Sequence, residues 1–130
     1  MSEAHSGRVR EALAKAELVR ASDLTLIECD RVLIRAVNTG KLSESKVAGR
    51  RARLRQAAEH WIILGIGPDV VERARRPFLK EPVRTLDAIH LATAIFAQTL
   101  VGGVCLLALD RSVRACGLEL GFQLLPELEE

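Results

Sequence analysis

The sequence contains no tyrosine, one tryptophan and three phenylalanines, so aromatics make up 3% of its 130 residues. A protein that grips single-stranded nucleic acid by stacking bases on aromatic faces needs more of that material. Cysteine is equally scarce. Cys29, Cys105 and Cys116 are an odd number with neither CxxC nor zinc-type spacing, which argues against a disulfide framework or a structural zinc site. Each sits in an apolar or helical context, as expected of reduced, packed thiols in a cytoplasmic protein. A glycine-rich phosphate loop is also missing: Gly65 and Gly67 follow a strand-like run, but without GxGxxG spacing. That counts against a small-molecule-binding α/β domain. Neither sign of charge dominates, and a formal net charge of +2 is too small to name a partner.

Neither a membrane span nor a leader is expected. Leu91 to Leu109 carries no charged residue over about 19 positions, close to spanning length. Thr93, Gln98 and Thr99 dilute it, however, and Gly102-Gly103 breaks it in the middle. It reads better as a buried helix, a turn and a buried strand, so a soluble chain with no membrane partner is expected. The opening MSEAHSGRVREALAKAE is charged throughout, unlike a signal peptide. No repeat, low-complexity tract or linker divides the chain, which predicts a single domain over residues 1–130.

What the chain does have is a regular alternation of helical and strand-like segments. Helical patterning covers about Gly7 to Glu17, with Val9, Leu13 and Ala16 as an apolar stripe, and a short strand follows from Leu18 to Ala21. Ser22-Asp23 caps a helix from Leu24 to Val37, and Ser43 opens another that reaches about His60. Trp61 to Ile66 is a continuous apolar run, predicting a strand buried on both faces. Pro68 suits the first position of a helix ending before Pro77. Thr85 is the expected N-cap of a strongly apolar helix, the run Val104–Leu109 a buried strand, and Arg111–Leu120 a helix before a last strand, FQLL. Short strands separated by helices predict an α/β sandwich with a mostly parallel sheet.

In such sheets ligands bind at the carboxyl ends of the strands. Asp110 ends the run VCLLALD, Glu28 lies in the first turn and a half of its helix, and Asp87 lies in the first turn of another. Three carboxylates converging on one rim repel each other unless a divalent cation occupies the site. Mg²⁺ or Mn²⁺ is the hard ion that such oxygens prefer, and phosphodiester hydrolysis is chemistry that such an ion supports. Each acid also has a plainer reading. Asp87 favours the positive end of its helix, Asp110 caps the helix at Arg111, and Glu28 pairs with Arg31 or Arg35 or is simply exposed. His90, three residues after Asp87, reads as a core histidine close enough to orient it.

TLDAIHLATA, followed by LLALDRSVRACGLELGFQLLP, resembles the C-terminal half of PIN-domain proteins, and is especially similar to the VapC ribonuclease toxins of toxin–antitoxin modules. SDLTLIECDRVLIRA is similar to the family's second acidic element. The resemblance covers roughly residues 8 to 126 and is most specific in the last third. It implies a three-layer α/β/α fold and a magnesium-dependent endoribonuclease. Glu28, Asp87 and Asp110 would then be catalytic and metal-holding acids, with Thr85 supporting the helix entry. It further implies an RNA substrate, a small cognate antitoxin and a homodimer. One departure stands out: family members open with a hydrophobic strand ending in Asp, and this sequence starts at MSEAHSG, which matches what normally follows. An apparently missing first strand predicts a start placed too late or, alternatively, a catalytically degenerate module that still binds antitoxin or RNA.

A basic stretch, KVAGRRARLR, lies upstream of these motifs. Lys46, Arg50 and Arg53 share one helix face, while Val47, Leu54 and Ala58 occupy another. With Arg73, Arg75 and Arg76 they read either as a track for RNA phosphates or as an ordinary solvated helix face.

Overall fold

Ser22 ends a strand with extended backbone, and its hydroxyl accepts the Thr25 N–H at 3.4 Å, so the chain turns at once into a helix. The same device recurs at Ser43, which accepts from Lys46 N–H at 3.2 Å. The computed structural model that shows this describes residues 3–128, with side chains from Gly7 onward. Its elements are α1 (Glu3–Lys15), β1 (Arg20–Ser22), α2 (Asp23–Asn38), α3 (Glu44–Ala58), β2 (Ile62–Leu64), α4 (Pro68–Ala74), α5 (Thr85–Val101), β3 (Cys105–Leu107), α6 (Arg111–Glu119) and β4 (Gln123–Leu125). The chain is thus mixed α/β, with Pro68 at the start of α4 as expected. Two compact units emerge: Leu18–Gly65, and the flanking stretches up to Glu17 and from Ile66 onward.

The strands depart from the expected single sheet. β1 pairs with β2 and β3 with β4, both in parallel, as two separate two-stranded sheets. Ladders of three residues offer few backbone groups to a further strand, and parallel pairing is the less stable kind per residue. The expected burial also changes. Ile62 in β2 is 42% exposed, and Cys105 and Leu107 in β3 are exposed while Leu106 between them is covered. The β3–β4 pair is therefore covered on one side more than the other, and neither pair has the two buried faces of an internal parallel strand.

In the unit Leu18–Gly65, Leu24 and Val47 are buried and Arg51 Nε meets Asp30 Oδ1 at 3.3 Å, tying α3 to α2. Its α2 leaves Ile27, Val32 and Ile34 exposed. In the other unit a core forms from Phe78, Ala88, Leu91, Val113 and Cys116, with Val83, Ile95, Leu106 and Leu120 packed around it. α6 approaches β3 and β4 at Gly117, where an added Cβ would lie 2.5 Å from Leu106 Cδ2. Glycine is required there for proximity. At Gly121, φ of +90° lets the chain leave α6 in a Schellman turn, with Gly121 N–H bonding Leu118 O and Phe122 N–H bonding Gly117 O.

Candidate functional site

α5 is entered through a loop that is itself organised. The Glu81 carboxylate accepts Phe78 N–H at 2.7 Å and Val83 N–H at 2.8 Å, clasping both ends of the segment between them. Arg73 lies over the Phe78 ring, 4.3 Å from its centroid, and donates to the Pro77 carbonyl at 3.2 Å. Phe78 is buried in the core, so this loop is anchored on the same residues that α5 packs against. The helix then starts at Thr85, with Arg84 as its N-cap and no side-chain cap bond. Thr85 is the first helical residue and not the cap that the sequence pattern predicts. The Glu81 clasp, which extends to Val83 N–H, supplies the fixed entry that a hydroxyl cap was expected to give.

Asp87 follows in the first turn, half-buried, where the unpaired N–H groups of the helix favour a carboxylate by roughly 0.3–1 kcal/mol. His90, one turn on, is half-buried too. Asp87, His90 and Glu28 each already interact with neighbouring groups. Asp110 is exposed and caps α6: its Oδ1 accepts Val113 N–H at 3.0 Å, which is the plainer of its two readings. Asp87 and Asp110 belong to one unit, and Glu28, half-buried in the second turn of α2, belongs to the other. Burial pushes the pKa of Cys29 up, and the negative charges of Asp30 and Glu28 add to the effect.

Hard carboxylate oxygens are the right donors for a Mg²⁺ or Mn²⁺ ion. Among the described residues, however, no group of three or more His, Cys, Asp or Glu side chains is set to hold a metal. The donor chemistry fits, and the assembly of the three acids stays a proposal. Lys46, Arg50 and Arg53 are all exposed on α3, as a phosphate track requires. Arg73 is committed to Phe78 and to backbone carbonyls, so it is occupied by the fold.

Sequence reasoning missed two residues that shape this region, Glu81 and Arg114. Arg114 is 4% exposed on α6, and its Nη1 donates to the carbonyls of Ala108 at 2.8 Å and Leu125 at 3.3 Å. A detectable signal existed: an arginine lodged between Val113 and the Cys116-Gly117 pair, within an otherwise apolar helix face. No helix of the described residues is long and apolar enough to cross a membrane.

A search of curated proteins gives no significant match to the chain. The family model for the PIN domain does match, over residues 2–101. That span takes in α2 with Glu28, the basic α3 and all of α5 with Asp87, and it stops before Asp110. PIN domains are in general divalent-metal-dependent nucleases, and with most of its length matched this chain belongs to the PIN domain family.

Proposed function

We propose that the chain is a magnesium-dependent endoribonuclease of the VapC toxin type, with Asp87 as its leading site acid and Glu28 and Asp110 serving with it. The observation that carries this reading is the placement of TLDAIHLATA. It opens α5 inside the matched span, and it sets one half-buried carboxylate at the mouth of a helix whose Ala88, Leu91 and Ala92 are buried. A bound divalent ion would supply Lewis acidity toward the scissile phosphate and toward water. The chain's own part is to hold negative charge for that ion at Asp87, Asp110 and Glu28. Lys46, Arg50 and Arg53 would bind the RNA backbone through phosphates. A small antitoxin as partner, a homodimer, a three-layer fold and a cytoplasmic setting all belong to this proposal, on the strength of the resemblance.

The test is RNA cleavage by the full chain across a Mg²⁺ titration, alongside Asp87→Asn. Cleavage that needs Mg²⁺ or Mn²⁺ is expected, with a loss of at least about 10-fold in the variant, since even outer partners of a metal ligand cost that much. Metal-independent cleavage, or an Asp87→Asn variant as active as the parent, would sink the assignment.

One observation favours a second reading, a catalytically degenerate module that binds RNA or antitoxin. Among the described residues each strand pair is a ladder of only three residues, a narrow frame for holding acids at its carboxyl end. RNA binding without cleavage at any Mg²⁺ concentration would decide for this reading.

A further inference from the structure

Arg114 sits where a helix facing a strand pair ordinarily carries an aliphatic side chain. Removing a guanidinium from water is costly unless its N–H groups find acceptors. Its acceptors here are particular ones. Ala108 and Leu125 mark the carboxyl ends of β3 and β4, and Ala108 N–H itself donates to Leu125 O at 3.0 Å. Arg114 Nη1 reaches both carbonyls, so one cation gathers the ends of both strands. The same residue grips the corner from its other side, because Arg114 N–H donates to the Asp110 carbonyl at 2.9 Å. Residues 108 to 110 are therefore held at the first carbonyl by the Arg114 side chain and at the last by its backbone. An aliphatic residue would pack α6 on the strands as well, and would leave the Ala108 carbonyl ungripped.

We propose that Arg114 is a positioning residue that fixes the Ala108–Asp110 corner and so sets the orientation of the Asp110 carboxylate. With Oδ1 capping α6, that orientation leaves Oδ2 as the oxygen available to the site. The proposal rests on the reading of Asp110 as a site acid.

The experiment compares Arg114→Met and Arg114→Lys in the full chain, each alone and combined with Asp110→Asn. Amide hydrogen exchange at Val113 and at α5 is measured by NMR, together with kcat and KM for RNA cleavage in Mg²⁺. In Arg114→Met, Val113 should exchange faster while the α5 amides stay protected. Its kcat should fall about 10-fold or more at unchanged KM, and adding Asp110→Asn should cost little further. Arg114→Lys, which keeps a donor for Ala108 O, should recover part of both and stay folded if the Met variant does not. Exchange that rises by one common factor at Val113 and α5, or losses that add fully to those of Asp110→Asn, would make Arg114 a mere strut and overturn the proposal. A parent chain without nuclease activity would refute the nuclease reading instead. The Val113 exchange would then still decide, selective loss supporting the orientation role and uniform loss overturning it.

Discussion

At the scale of single residues, the three thiols separate most clearly. Cys116 is fully buried in the core, Cys29 is half-buried on α2, and Cys105 is exposed on β3, contrary to the packed position its apolar neighbours imply. Burial pushes the pKa of Cys116 up, as it does that of Cys29, where Asp30 and Glu28 also oppose the thiolate. Because the thiolate is the attacking form, reactivity should follow both access and charge. Labelling with iodoacetamide at pH 8 is expected to modify Cys105 first and Cys29 slowly, and to leave Cys116 untouched until the chain unfolds. Mass spectrometry of timed samples checks the order, and early labelling of Cys116 would contradict the core described for α5 and α6.

Among the elements, α3 carries the clearest functional expectation. Lys46, Arg50 and Arg53 project from it exposed, whereas Arg51 is tied to Asp30 and half-buried. Replacing Arg50 and Arg53 with Gln should weaken RNA binding by a similar factor for every sequence tried. The slope of log affinity against log salt should fall by about 1.4 for single-stranded RNA, roughly 0.7 for each phosphate that an arginine no longer neutralises. An unchanged slope would return α3 to the role of a solvated surface. Helix positions were largely legible from the sequence, because caps and breakers act locally: Ser22, Ser43, Pro68 and Asp110 all stand where their chemistry predicts. Strand burial and sheet order were not legible. An apolar run such as WIIL reports only that covering is wanted, and whether Ile62 is covered or left exposed, as it is here, depends on residues far away in sequence. Asp87 and Glu28 could be singled out as acids near helix starts, but their environment could not be. The Glu81 and Arg114 contacts escaped for another reason: they are short-range, but they join side chains to backbone N–H and carbonyl groups in a loop and at a strand end, where no periodic pattern of residue types marks them.

For the whole molecule, the two parallel pairs are the main determinant of what can be improved. Isolated two-stranded sheets are marginal by themselves and depend on what packs against them. If the chain is the nuclease proposed above, an engineered strand ending in Asp, fused ahead of residue 1, would offer these short ladders a further partner and add a carboxylate. The extended protein is expected to cleave RNA faster in Mg²⁺ and to melt at higher temperature than the 130-residue chain. An extension that raises neither would show that the strands as they stand already hold the acids adequately, and parallel measurement of Asp87→Asn separates true cleavage from a contaminant.

The Glu81 clasp has a consequence for how the protein is handled by proteases. The loop before α5 exposes Leu79, Lys80 and Arg84, and by surface alone it is the obvious place for trypsin to cut. A protease must draw several residues into an extended conformation, and a carboxylate that holds Phe78 and Val83 N–H together denies it that slack. Limited trypsin digestion should therefore leave the bonds after Lys80 and Arg84 intact in the parent, while Glu81→Ala is nicked there at once and yields a C-terminal fragment that begins at or just before α5.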